Sequence, residues 1–223
     1  MEEKITPRKL LVYIVEVILF VLVAMIAVTL VQMYWVAPIG VYGPSMEDTL
    51  YTNDTVYINK SFKEVSRGDV VVVYLPGDYI NYGVDMWRYT GDNDDTDRCP
   101  ASRKKTLDDF VASMPFFGKA STGEDGNADN DYYLVVKRVV ACPDDLVQIK
   151  NGVLYINGDL ESRAGLYNYP NDYDYRLGED EYFILGDNRA VSKDSSRYGP
   201  IRANWIYGKV IAARARGKLV TNL

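Results

Sequence analysis

The stretch DYYLVVKRVVAC, residues 131–142, decides the fold. It is rich in Val and Tyr, and it leads into the turn formers Pro143, Asp144 and Asp145. Such a run is a strand, and strand side chains alternate between faces. Tyr133, Val135, Lys137, Val139 and Ala141 share one face; Leu134, Val136, Arg138 and Val140 share the other. Either face puts a cation among apolar neighbours. A solvated edge strand whose lysine reaches for water would explain this; so would a lysine held away from water for chemistry. Outward from this run, residues 54–60 (DTVYINK), 68–76 (GDVVVVYLP), 181–188 (EYFILGDN) and 205–216 (WIYGKVIAARAR) read as further strands. The segment LVQIKNGVLYINGDLE, 146–161, carries two Asn-Gly pairs, at 151–152 and 157–158, each a signal for a tight hairpin turn. Beyond the first 35 residues there is no long amphipathic helical pattern. The expected fold is mostly β, built of antiparallel sheets.

The chain of 223 residues has room for one membrane segment and one domain of about 180 residues. Its formal charge of −6 makes nucleic acid an unsuitable partner, because phosphate neutralisation needs a basic face. The acidity is local. Residues 77–131 hold about twelve Asp or Glu against about six Lys or Arg, a difference that accounts for the whole net charge. This segment, with one short helix expected in RKKTLDDFVASM, reads as an insert. The two cysteines, Cys99 and Cys142, form no metal-ligand pattern, so neither a metal nor a cofactor is expected. They read as unrelated thiols or, in an oxidising compartment, as one disulfide.

Residues 10–31, LLVYIVEVILFVLVAMIAVTLV, contain one charge, Glu16. That length crosses a hydrocarbon core of about 30 Å. Tyr34 and Trp35 follow, as at a bilayer interface. Lys4, Arg8 and Lys9 precede the run, and no basic residue returns until Lys60. The expected organisation is therefore a cytoplasmic terminus over 1–9, a transmembrane anchor over 10–35 and an extracytoplasmic β domain over 36–223 with the acidic insert at about 77–131. A cleavable signal peptide would have a shorter apolar core and a small-x-small site, which QMYWVAPIG does not offer.

A serine at position 45, in GPSMEDTL (43–50), lies about 14 residues beyond the anchor. Fully extended, that segment reaches at most about 50 Å, so the serine is tied close to the outer leaflet. As a nucleophile it would need a base, and the chain has no histidine. Lys137 is the candidate. Bringing its amine from about 10.4 to near 7.5 requires a desolvation penalty of roughly 4 kcal/mol. Arg138 cannot serve, because arginine stays protonated, but it suits an ion pair. A third cluster, GDNRAVSKDSSRYG over 186–199, is dense in turn formers and hydroxyls; alone it reads as a surface turn.

Taken in order after an anchor, GPSMEDTL, RGDVVVVYLP (67–76), YYLVVKRVVACPDD (132–145) and GDNRAVSKDSSRYG resemble the type I bacterial signal peptidases. The resemblance covers nearly the whole chain apart from the insert. It implies a membrane-bound serine endopeptidase that removes N-terminal signal peptides from exported preproteins, with Ser45 as nucleophile and Lys137 as neutral general base. It further implies that Ser192 orients the lysine, that the Ser45 N–H helps hold the oxyanion, and that Met46 shapes the site beside the nucleophile. Asp187, Asn188, Arg189, Asp194 and Arg197 would scaffold the loop. The substrate would lie extended against a strand edge, with small residues at −1 and −3, and the enzyme would sit in the bacterial cell membrane as a single-pass protein.

Three positions depart from the family pattern. Gly43 stands where some members carry a serine whose side chain is a second oxyanion donor. Asp194-Ser195-Ser196-Arg197 replaces Asp-Ser-Arg, leaving open whether Arg197 or Arg189 pairs with Asp194. Ala141-Cys142-Pro143-Asp144-Asp145 replaces Gly-x-Pro-Gly-Asp, which suggests a changed turn. Other readings are a self-cleaving repressor-type peptidase, which needs no anchor, an anchored binding domain in which Ser45 and Lys137 are dispensable, and a peptidase dedicated to a few substrates.

Overall fold

The computed structural model describes residues 6–76, 120–121, 132–161 and 172–223. A single long helix, α1 (Pro7–Tyr34), opens the fold. It starts three residues earlier than the apolar run, because the Thr6 hydroxyl caps it by accepting from the Lys9 N–H and Pro7 fits the first turn. It is long and apolar enough to cross a membrane. Its 28 residues span about 42 Å, more than a hydrocarbon core needs. In its last turns Thr29 and Met33 are buried.

Thirteen strands follow among the described residues. They are β1 (Val36–Gly40), β2 (Thr55–Asn59), β3 (Val70–Pro76), β4 (Ala120–Ser121), β5 (Tyr132–Ala141), β6 (Leu146–Lys150), β7 (Val153–Ile156), β8 (Asp159–Leu160), β9 (Tyr173–Arg176), β10 (Glu181–Leu185), β11 (Ile201–Arg202), β12 (Ile206–Ala215) and β13 (Lys218–Val220). A short helix, α2 (Ser195–Tyr198), and a 3₁₀ turn at Ala203–Trp205 complete the set.

The larger sheet runs β11-β10-β5-β3-β12-β2-β1-β4, with β13 also paired to β12. The smaller runs β8-β7-β6-β9. All pairings are antiparallel except β1 with β4, where Ile39 and Gly40 lie in parallel register with Ala120 and Ser121. Both expected Asn-Gly turns form: Asn151 and Gly152 have φ of 51° and 76°, Asn157 and Gly158 of 55° and 87°. Two consecutive left-handed residues give the twist that matches flanking strands.

The core divides along the alternation of β3 and β5. Val70, Val72 and Val136 pack with Ile39, Leu50 and Ile58 on one side; Val71, Val73 and Val139 pack with Ile184, Tyr198 and Ile201 on the other. A third cluster, centred on Leu154 and Phe183, joins the two sheets.

The turn after β5 closes without glycine. The Asp145 N–H donates to the Cys142 carbonyl at 3.1 Å, with Pro143 second and Asp144 third at φ 67°. Asp is among the few residues that tolerate this left-handed position. Cys142 is a free thiol lying 3.7 Å from the Val65 carbonyl. Cys99, most of the acidic insert and its expected helix lie outside the described residues.

Candidate active site

Three segments far apart in sequence are joined by hydrogen bonds, although none among the described residues links Ser45 itself to Lys137. The first is the turn over 45–49, between β1 and β2. Ser45 is half-buried there. Met46 and Leu50 are 1% and 0% exposed and root the turn in the core beside Ile39. Met46 is thus a core residue directly next to the serine. Gly43 has φ 86°, and its N–H donates to the Thr52 hydroxyl at 3.1 Å. A serine side chain at position 43 would carry the strain of left-handed backbone, which explains the glycine. The Ser45 N–H has no hydrogen-bond partner among the described residues.

The second segment is β5. Lys137 stands in register with Val71 of β3 and is 3% exposed. It is therefore no snorkelling edge residue. Its neighbour Arg138 is also buried and bonds to both oxygens of Asp187, at 2.8 and 2.7 Å. The pair is secluded, with side chains only 6% and 3% exposed. Arg138 also donates to the carbonyls of Gly68 and Leu223.

The third segment is the loop that leaves β10. Asp187 accepts from the Thr49 hydroxyl as well as from Arg138, so one carboxylate ties the serine turn to the lysine strand. The Asn188 N–H donates to the Ser45 carbonyl at 3.0 Å, and the Ser192 N–H to the Asn188 carbonyl at 3.1 Å. Ser192 is 3% exposed, and its hydroxyl has no hydrogen-bond partner among the described residues. Gly186 is enclosed by this arrangement: a Cβ there would overlap the Ser192 hydroxyl and the Ser45 carbonyl. Arg189 braces the loop, donating to the Gly186 carbonyl and pairing with Glu161 at 2.9 Å.

Asp194 pairs with neither arginine. Its carboxylate accepts from the Gly186 N–H at 2.9 Å and from the Ser196 N–H and hydroxyl, which makes it the N-cap of α2. Arg197 lies exposed on α2 and is not brought to the loop's carboxylates. The Ser195 hydroxyl accepts from the Ile184 N–H at 3.0 Å and pins α2 to β10. The substitution in the Asp-Ser-Arg pattern thus leaves a capped turn where an ion pair was expected.

Two residues of this arrangement escaped the sequence reading. Thr49 lies 138 residues from its partner, and nothing local marks it. Gly186 had a signal, since glycine directly after an apolar strand often marks a close approach.

A second carboxylate stands behind the site. Asp145 accepts from Arg67, the Cys142 N–H and Asn157. Burial works to raise this carboxyl, but those hydrogen bonds outweigh it and hold it below the usual carboxylate range. Burial, reinforced by Asp145, pushes the Cys142 thiol up. That thiol is thus less ionised than a free cysteine and a poor rival nucleophile.

A family model described as "Signal peptidase, peptidase S26" matches residues 14–213. The chain is 26% identical over 190 residues to signal peptidase I of Bacillus amyloliquefaciens, covering 78% of this chain and 73% of that one. It is 38% identical over 104 residues to signal peptidase IB of Staphylococcus aureus, covering 38% of this chain and 53% of the relative. Among solved structures, it is similar to a signal peptidase I from Enterococcus faecalis V583 at 20% identity, with a TM-score of 0.34, covering 66% of this chain and 97% of that one.

Proposed function

The chain belongs to the signal peptidase family, peptidase S26, as a type I signal peptidase, and we propose that it cleaves preproteins with a Ser45–Lys137 dyad. The observation that carries this reading is the burial of Lys137 in a strand whose next residue, Arg138, is tied from the opposite face through Asp187 to the turn that bears Ser45. Burial disfavours the ammonium form, which is the condition a lysine base requires. The absence of histidine leaves no usual alternative base.

The neutral Lys137 amine takes the Ser45 hydroxyl proton as Oγ attacks the scissile carbonyl. The Ser45 N–H holds the oxyanion that forms. The Lys137 ammonium then gives its proton to the leaving amine, which departs as the new N-terminus of the mature protein. A water, deprotonated by Lys137, attacks the ester left on Ser45; Ser45 Oγ leaves with the proton that Lys137 returns, and the signal peptide departs as an acid that ionises to a carboxylate in solvent. The Ser192 hydroxyl, buried beside the Ser45 main chain and bonded to no described residue, is the group that would orient the lysine once substrate is bound. The preprotein lies extended on a strand edge, with small residues at −1 and −3.

Residues 1–9 lie in the cytoplasm, 10–35 cross the bacterial cell membrane, and 36–223 form the catalytic domain outside. The lipid bilayer is therefore a partner as well as a boundary.

The test is cleavage of a preprotein with an Ala-x-Ala site by the full chain in detergent. Cleavage at that site by wild type and its loss in Ser45→Ala is the expected result. Equal cleavage by both would mean another protease and would remove the assignment.

A further inference from the structure

We infer that Lys60 is a positioning residue for the reaction at Ser45: it locks the anchor to the catalytic domain and so fixes the height of the serine above the bilayer. The inference rests on the signal-peptidase reading above.

The end of a helix leaves its last four carbonyls without partners. At the end of α1 this is acute, because its last turn contains no basic residue and it leaves an apolar phase. Lys60, one residue beyond the end of β2, fills the gap. Its ammonium donates to the Gln32 carbonyl at 2.8 Å and the Met33 carbonyl at 3.4 Å. It lies 4.6 Å from the centre of the Tyr207 ring, a residue of β12. A cation here also meets the negative end of the helix dipole and the negative face of an aromatic ring. The next residue adds a bond, from the Ser61 hydroxyl to the Tyr34 carbonyl.

These contacts straddle the joint where helix becomes strand. Trp35, with φ −121° and ψ −61°, belongs to neither element and is where the chain could swivel. The Lys60 ammonium holds the helix before this joint, and the Lys60 N–H holds the Trp35 carbonyl at the joint, 2.7 Å away. Beyond it, β1 is paired to β2 along its whole length, from Val36 opposite Asn59 to Gly40 opposite Thr55. Five residues later comes Ser45. The anchor, the joint and the strand leading to the serine are thus one stiff unit with Lys60 at its corner. A substrate that is itself held in the bilayer presents its scissile bond at a fixed depth, and a swivelling anchor would spread the serine over many depths. A short soluble peptide meets the serine at any height.

The experiment uses the full chain in phospholipid vesicles, with two substrates sharing one cleavage site: a membrane-anchored preprotein and a short soluble peptide. Lys60→Met keeps most of the stem and loses the cation; Lys60→Arg keeps the cation. The expected result is a fall of about tenfold in kcat/KM for the preprotein with Lys60→Met, the scale that misplacement by a fraction of an ångström produces. The peptide should change less than about twofold, and Lys60→Arg should restore most of the preprotein rate. An equal fall on both substrates, or no fall on either, would overturn the inference. Spin labels at Val23→Cys and Asn53→Cys, with Cys99 and Cys142 replaced, read the joint without any activity. Their distance distribution should be narrow with Lys60 and broad in Lys60→Met; equal widths would overturn the inference. Wild type inactive on both substrates would instead count against the peptidase reading, leaving the joint to be judged by the labels.

Discussion

At Asp144 the chain accepts a cost to keep a turn. A non-glycine residue at φ 67° pays in steric crowding, typically about 1 kcal/mol, less for Asp than for bulkier residues. Asp144→Gly should therefore raise the unfolding free energy by up to about 1 kcal/mol, as read by urea denaturation. Gly186 is the opposite case. With Ser192 and the Ser45 carbonyl already where its Cβ would go, Gly186→Ala should abolish activity. Rates measured beside circular dichroism would separate a displaced serine from an unfolded domain. The sequence singled out Ser45 and Lys137 as candidates because each has the right chemistry within a local motif. It could not find Thr49, whose role exists only once the fold brings it to Asp187.

Among the elements, the Arg138–Asp187 pair joins strand, loop and serine turn. Breaking a buried pair by removing one charge leaves the other stranded, at a cost of about 3–5 kcal/mol. Asp187→Asn should lower stability on that scale in urea and reduce activity, whereas Thr49→Val, which keeps the ion pair, should cost less. Asp145 governs the acid limit of the neighbouring elements. Its folded-state pKa lies below its unfolded value, so its stabilisation is complete above the ordinary carboxylate range and is lost as pH falls through the folded value. Asp145→Asn should therefore be less stable than wild type at neutral pH and lose less between about pH 5 and pH 2. Thermal unfolding across that range checks the slope. Most strands were legible because Val, Ile and Tyr runs end in turn residues, and the two Asn-Gly hairpins were legible to the residue. β1 was not, since Pro38 speaks against a strand; it is admitted because β1 lies near the sheet edge, where a missing donor is tolerated. The helix α2 was missed because four residues carry no periodicity, although Asp194 before Ser195 was a capping signal.

On the scale of the whole molecule, length and charge fixed the main division. One apolar helix of 28 residues precedes a β domain in which the third core cluster binds the two sheets together. The separation of the long apolar helix from the β domain was plain in the composition. Their attachment was not, because it depends on Lys60 reaching back 27 residues to Met33, and the sequence offered Lys60 only as the first basic residue after the anchor. From that attachment β1, paired to β2, leads to the serine turn; on the proposed reading the reaction is thereby held near the membrane.

The central claim is that Lys137 acts as a neutral base, and the pH dependence of kcat/KM tests it most directly. The preprotein would be cleaved by wild type and by Lys137→Arg between pH 6 and pH 10. The expected result is a wild-type rate that rises with an apparent pKa well below the ordinary lysine value of about 10.4, and no cleavage by Lys137→Arg at any pH, because arginine does not give up its proton. A wild-type rate that rises only near pH 10, or an active Lys137→Arg enzyme, would contradict it.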